Sequence, residues 1–481
     1  MKRLYILTLI VLSCFVSKAQ DTLKNKVPKT FSINQLKSDF VFFRTVMENA
    51  HPSLYRYLPK DSVNRYFDTT LNKIDQPLTD VAYWKLLQNI LAKVGSGHTT
   101  LTLENSLTFN NGMHDILPFS VQVQDNRLFI SQLYRKADTT FKVGDEILVI
   151  NNEYAASILE QMRGLVTGDG YSDSFKDFKI QKSFPGIFNL LHGDQYHFLI
   201  FYKHGDQVKK QMVRALTLRL GNRTAPPKSD PDQIKLTYPA DIPATAVLKI
   251  SNFTYKDYSS IHRSYFKELE KNNIKNLIVD LRDNTGGSED VCIDLMQYLM
   301  DNRFYYHIAQ EGVLNAEDLK YFADRSNKSP GSANLTSLQN ERSFFRVTNA
   351  GNEQQFISGK RFRGNIYILV NRGTFSAASL FAVAVKAQRE CTVIGEETGG
   401  GKAGCDGGEI MKVILPETRI CLYIPTLWTY SASKDQNTGE GLKPDIEFSY
   451  PPGMPYSAHG DVDPIMEVAK KGIIQTSQKL Q

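Results

Sequence analysis

Residues 366–402 contain Ile366-Tyr-Ile-Leu-Val370, then Asn371-Arg-Gly-Thr-Phe-Ser376, then Ala377-Ala-Ser-Leu-Phe-Ala-Val-Ala-Val-Lys386, and, from Cys391, Cys-Thr-Val-Ile-Gly-Glu-Glu-Thr-Gly-Gly-Gly-Lys402. The first run is short, apolar and rich in β-branched residues, which predicts a buried strand. The alanine-rich run after Ser376 predicts a helix, and the run from Cys391 a second strand ending in a glycine loop. Strand, sharp loop, helix and strand in this order place Ser376 on the first turn of a helix, just past a strand. The free N–H groups and positive end of that helix lie beside the side chain, where a developing oxyanion is stabilised. The plainer use of a serine there is a helix N-cap, so the neighbouring segments must decide.

Upstream, residues 246–250 predict a strand, 260–269 a helix and 277–281 a second strand. The last runs into Arg282-Asp-Asn-Thr-Gly286-Gly287 and a helix through Met300. This alternation predicts a partly parallel sheet. If its two strand-to-helix loops, Asn284-Thr-Gly-Gly287 and Thr374-Phe-Ser376, lie side by side, they emerge at one edge, where sites in such sheets form. Paired glycines let a backbone N–H approach a ligand closely. The N–H of Gly287 (or Gly286) and that of Ala377 then make a two-donor oxyanion hole facing Ser376; a simple tight turn is the alternative. Residues 302–364 are polar, aromatic and aperiodic, an excursion from the core such as a lid or cover. Downstream, 410–415 and 419–424 predict a hairpin around Pro416-Glu417. Glu440-Gly-Leu-Lys-Pro-Asp445 predicts a turn, and 465–470 a last short helix.

Toward the amino terminus, residues 30–94 carry apolar residues at helical spacing: Phe40, Phe43, Val46, Met47, then Tyr83, Leu86, Leu87, Ile90, Leu91. His51-Pro52 breaks the first helix. The last helix stops at Gly95-Ser-Gly-His98-Thr-Thr100. Of the nine histidines, His98 alone lies in a glycine-flanked loop between apolar elements. From 117 to 213 the pattern changes to short strands, with a hairpin turning at Asp125-Asn126 and a helix over 155–162. Val143-Gly-Asp-Glu-Ile147 with Ile150-Asn151 resembles the core of a PDZ domain, a module that adds an extended peptide to a sheet edge. Residues 163–188 read as an insertion in it, and the Pro- and Asp-rich 222–237 as a linker.

The chain of 481 residues is 41% hydrophobic with a net charge of +6. Its Lys and Arg residues are dispersed, so no nucleic-acid partner is expected. Met-Lys-Arg, an apolar run and Ser17-Lys18-Ala19 predict a signal peptide over 1–19 and an exported protein, periplasmic or secreted. Val-Leu-Ser-Cys14 is a weaker lipoprotein box, and membrane association is expected only if Cys14 is lipidated. Beyond Cys14, four of the five cysteines remain, Cys292, Cys391, Cys405 and Cys421, which allow three complete disulfide pairings. Without Cys-x-x-Cys or His-Glu-x-x-His, no metal or other cofactor is expected. Ser431-Ala-Ser-Lys434 lacks the companion elements of penicillin-binding proteins, and no Gly-x-Ser-x-Gly elbow surrounds Ser376.

Taken together, Gly-Ser-Gly-His-Thr, Ile-Val-Asp-Leu-Arg-Asp-Asn-Thr-Gly-Gly, Thr-Phe-Ser-Ala-Ala, Gly-Glu-Glu-Thr-Gly-Gly and Gly-Leu-Lys-Pro-Asp occur in an order that resembles the carboxyl-terminal processing peptidases. This serine peptidase family also includes the tail-specific proteases and the tricorn core protease. The likeness covers about residues 35–450. It implies an α/β multidomain protein with a ββα-spiral (crotonase-like, ClpP-like) catalytic core, a PDZ-like domain and an amino-terminal helical domain. The expected boundaries are 30–112 for the helical region, 113–218 for the PDZ-like domain, 219–237 for the linker, 238–450 for the catalytic domain and 451–481 for a tail.

The resemblance implies that Ser376 is the nucleophile and Gly287 with Ala377 the oxyanion hole. A serine hydroxyl needs a neighbour to take its proton. One branch of the family uses a lysine, and Lys402 lies near the matching place with one residue too many before it. The tricorn-like branch uses a histidine, matched by His98, whose pKa suits the task without burial. His98 is the favoured base and Lys402 the alternative; Glu440 and Ser96 are candidates to orient the histidine. The expected substrate is a peptide or unfolded protein. The rival reading is a non-catalytic peptide-binding protein on a peptidase scaffold.

Overall fold

The computed structural model describes residues 29–103, 113–135, 140–219, 233–313, 336–338, 344–348, 353–354, 356, 361–436, 439–451 and 463–479. The expected signal peptide and Cys14 lie outside the described residues. Among these, no helix is long and apolar enough to cross a membrane. The four cysteines are buried and free.

In the amino-terminal region, β1 (Thr30–Phe31) pairs with β2 (Leu78–Thr79), alongside α1 (Ile33–Ala50), α2 (Lys60–Asn72) and α3 (Asp80–Val94). Ser32 and Gln35 close a capping box on α1, and His51-Pro52 ends it. The helical spacing of Phe40, Phe43, Val46 and Met47 puts all four in the core. α3 ends at Gly95, whose φ of 78° turns the chain into the loop bearing His98. β3 (Thr100–Thr102) follows.

The next segment comprises β4 (Met113–Ile116), β5 (Phe119–Gln124), β6 (Arg127–Leu133), β7 (Glu146–Ile150), β8 (Glu153–Tyr154), α4 (Ala155–Arg163), α5 (Ser174–His192), β9 (His197–His204), β10 (Gln207–Arg214) and β11 (Leu216–Arg219). Its main sheet is antiparallel in the order β10-β9-β7-β6-β5. Asp125 and Asn126, both at positive φ, make the β5–β6 turn. β10 was not expected; all its residues but Val213 are exposed, Val208 and Met212 included, so no alternation marks it. Residues 163–188, read as an insertion, supply α5. This helix lies along the edge strand β5, where Gln181 accepts the Val123 N–H at 2.6 Å. Arg372, four residues before Ser376, donates to the Val123 carbonyl at 3.0 Å.

The remaining chain forms β12 (Ile234–Thr237), β13 (Thr245–Ile250), α6 (Tyr258–Lys271), β14 (Asn276–Asp280), α7 (Glu289–Leu299), β15 (His307–Val313), β16 (Thr336–Leu338), β17 (Phe344–Thr348), β18 (Asn365–Val370), α8 (Ala377–Gln388), β19 (Thr392–Gly395), β20 (Gly404–Cys405), β21 (Ile410–Ile414), β22 (Cys421–Pro425), β23 (Leu427–Ser431), β24 (Ile446–Glu447) and α9 (Pro464–Lys479). The central sheet runs β12-β13-β14-β18-β19-β24, parallel except at β12. β12 takes up the last part of the stretch read as a linker. Within the 302–364 excursion, β15 and β17 join a sheet with β23.

Residues on the parallel strands alternate between two cores. Leu248, Val279 and Ile368 face α6, α7 and α8; Ile278, Leu369 and Ile394 face α9. A third core unites the amino-terminal helices, the β5–β9 sheet and the β21–β22 hairpin. β22 also pairs with β3, Leu422 opposite Leu101. That pairing carries the His98 loop to the half of this mixed α/β fold that holds the parallel sheet.

Candidate active site

β14 and β18 are adjacent and parallel, with Asp280 opposite Leu369, so their loops leave the sheet side by side. The loops are stitched together. Thr374 Oγ1 donates to the Leu281 carbonyl at 2.9 Å, the Phe375 N–H to the Asn284 carbonyl at 3.0 Å, and Asn371 bridges Asp283. Ser376 stands at the amino terminus of α8 with φ 54° and ψ −128°, and its side chain makes no capping bond. A non-glycine residue held there costs about 1–3 kcal/mol. That strain turns the hydroxyl outward from the loop, which rules out the plain cap.

The Ser376 Oγ lies 3.0 Å from His98 Nε2, and His98 Nδ1 lies 3.2 Å from Asp406 Oδ1. The other Asp406 oxygen accepts the Ser53 hydroxyl at 2.6 Å. With the carboxylate on Nδ1–H, Nε2 is left as an acceptor for the serine proton. Burial alone would raise the Asp406 pKa. The hydrogen bond from His98, the electrostatic pull of the His98 and His51 imidazoles, and the Ser53 hydroxyl outweigh it, holding the carboxyl below its usual range. Behind this chain, the Ser53 N–H donates to His51 Nδ1 at 3.2 Å, so His51 Nε2 carries the proton for Thr99 Oγ1 at 2.7 Å. Ser96 Oγ bonds Thr99 Oγ1 at 2.6 Å, bracing the loop rather than the imidazole.

The His98 ring is 10% exposed and held on both faces. Phe375 lies against one, ring centroids 4.6 Å apart, and Phe375 stacks in turn on Phe175 of α5 at 3.8 Å. On another side is Gly407, where an added Cβ would fall 2.3 Å from Nε2.

Gly286 and Gly287 adopt φ of 109° and 145°, conformations that disfavour a side chain. A Cβ on Gly286 would sit 2.8 Å from the Ser376 Cβ. The Gly286 N–H is taken by Asn284 Oδ1 at 2.9 Å. The N–H groups of Gly287 and Ala377 have no protein acceptor among the described residues, which leaves these two available as donors.

The other expected residues sit elsewhere. Lys402 turns its ammonium to Asp435 at 3.1 Å. Glu440 pairs with Lys443 at 2.7 Å, and the carboxylate on His98 is that of Asp406. Neither Asp406 nor a second buried carboxylate, Asp169, was picked out from the sequence. Lys-Ala-Gly-Cys-Asp406-Gly-Gly is a glycine-flanked acid just past the glycine loop, and could have been. His98, Asp169 and Asp406 present donor atoms within 4.8 Å of one another. Those of both aspartates are engaged by Ser53, His98 and backbone N–H groups, so the cluster is a hydrogen-bonded network rather than an open cation cage.

The family model of Peptidase family S41 matches residues 244–448. The solved structure of mature CPAF complexed with lactacystin is 12% identical, over 93% of this chain and 98% of that one, with a TM-score of 0.64. A structure of mature CPAF alone is 13% identical over 86% and 92%, with a TM-score of 0.60. At such identity the likeness is one of fold. No curated protein matches the sequence.

Proposed function

We propose that this chain, whose residues 244–448 match the model of peptidase family S41, is a serine-type peptidase of that family, an exported endopeptidase acting through Ser376, His98 and Asp406. The single observation that carries this reading is the continuous chain Ser376 Oγ, His98 Nε2, His98 Nδ1, Asp406. Ser376 attacks the scissile carbonyl while His98 Nε2 takes its proton. Asp406 holds the tautomer and stabilises the imidazolium. The tetrahedral oxyanion is received by the N–H groups of Gly287 and Ala377. His98 then protonates the leaving amine, an acyl-enzyme ester remains on Ser376, and a water activated by His98 hydrolyses it. Lys402 is disfavoured as base by its ion pair with Asp435.

In this reading residues 238–450 form a ββα-spiral catalytic domain, 113–218 a PDZ-like domain, and 30–112 the helical region that lends His98. The substrate is a peptide or unfolded protein. The test is labelling of the purified protein by a fluorophosphonate probe, with Ser376→Ala, His98→Ala and Lys402→Ala alongside. The expected result is labelling lost in the first two and kept in the third, all variants remaining folded. Loss with Lys402→Ala and retention with His98→Ala would transfer the base to the lysine. A folded wild type that neither labels nor hydrolyses would favour a peptide-binding protein.

A further inference from the structure

Asp169 lies on the loop between α4 and α5, outside the catalytic half of the chain. It is 4% exposed. Its Oδ1 accepts the N–H of Gly97, the residue before His98, at 2.7 Å, and its Oδ2 accepts the N–H of Gly401 at 3.3 Å. The carboxylate thus ties the histidine loop to the glycine loop, and Gly400 packs against Ser376: a Cβ there would fall 3.0 Å from the Ser376 nitrogen. The Asp169 loop is itself clamped, since the Gly170 N–H donates to the Gly95 carbonyl and the Tyr171 N–H to the Gly439 carbonyl.

We infer that Asp169 is a positioning residue of the peptidase, a second buried carboxylate that fixes the His98 loop and adds negative charge beside the imidazole. The inference rests on His98 being the base. The charged and titratable groups facing Asp169 are His98, Asp406, Tyr57, Lys179 and Cys405. Burial, then the charge of Asp406, push its carboxyl up to about 6, against the pull of His98 and the two N–H groups. Lys179, held by the carbonyls of Gly97 and Thr167 at 3.2 and 2.8 Å, is a balancing cation; burial lowers it to about 8 while Asp169 opposes the fall. A negative charge beside an imidazole favours its protonated form over the neutral one. A residue that merely packs would not do this.

The experiment is the pH profile of kcat/KM for fluorescent casein and of fluorophosphonate labelling, in wild type, Asp169→Asn and Asp169→Glu. Asp169→Asn is expected to move the acid limb to lower pH and to cut kcat by roughly tenfold to a hundredfold at pH 8 with KM little changed. Asp169→Glu is expected to bring the limb back toward wild type. An acid limb in Asp169→Asn superimposable on that of an active wild type overturns the inference. If Asp169→Asn does not fold, the His98 ring is titrated by NMR in the Ser376→Ala protein: a curve that departs from a single-proton titration through coupling to Asp169 supports it, and a single-proton curve overturns it. A wild type that is inactive and unlabelled refutes the peptidase reading itself, a separate outcome.

Discussion

Gly407→Ala isolates the placement of the general base from every other property of the site. The added methyl carbon would lie 2.3 Å from His98 Nε2 and 2.7 Å from two ring carbons, where ordinary contact begins near 3.4 Å. The ring must therefore yield by about 1 Å. It cannot retreat freely: Phe375 lies on its other side, backed by Phe175, and Asp406 holds Nδ1. Yielding carries Nε2 off the 3.0 Å contact with Ser376. A displacement of about 1 Å in a reacting group costs on the order of 100-fold. Overpacking of this size destabilises by about 1–3 kcal/mol, which leaves a protein of ordinary stability folded. The assay is hydrolysis of fluorescent casein together with the second-order rate of fluorophosphonate labelling, with circular dichroism to confirm the fold. Both rates are expected to fall about 100-fold. Rates equal to wild type in the folded variant would refute the placement of His98 between Phe375 and Gly407.

Asp406→Asn is expected to lower kcat by roughly 10³–10⁴-fold, because an amide no longer selects the tautomer with Nε2 free; steady-state kinetics at pH 8 check it. Asp463, half-buried but drawn below its usual range by the hydrogen bond and charge of Arg282, contributes stability at neutral pH that is lost as pH falls below about 4, the ordinary carboxylate value. Asp463→Asn should lower the urea midpoint at pH 7 and flatten its fall between pH 4 and pH 2. Asp169 has the opposite sign. Its ordinary value is 3.8 and its folded value about 6, so the folded chain binds the extra proton in that interval and stability declines as pH rises through it. Urea midpoints at steps from pH 4 to pH 6 are expected to lose that decline in Asp169→Asn.

The parallel sheet was legible because its strands are continuous apolar runs and its loops are marked by Gly286-Gly287 and by Ser376. His98 was legible because Gly95 and Gly97 bracket it at the end of a helix with clear periodicity. Asp406, marked only by its flanking glycines, and Asp169 were not picked out. Each acts across the fold, Asp406 on a histidine 308 positions away, and neither lies in a periodic segment. Glu440 is a candidate, with Ser96, for orienting the histidine, but its side chain turns to Lys443. β15 and β17 were missed for a related reason: their pairing with each other and with β23 comes from tertiary context and leaves no local alternation.

The outermost strand of the 113–218 segment presents Val123 with both backbone groups already engaged, the N–H by Gln181 and the carbonyl by Arg372. A peptide adding itself to β5 there would gain two hydrogen bonds only by breaking two, an exchange with almost no net driving force from the main chain. Affinity for any such guest would have to come from its side chains. Because Arg372 leads directly into the loop of Ser376, the guest would also loosen one anchor of the nucleophile. Rim and reaction centre are mechanically one piece at this point.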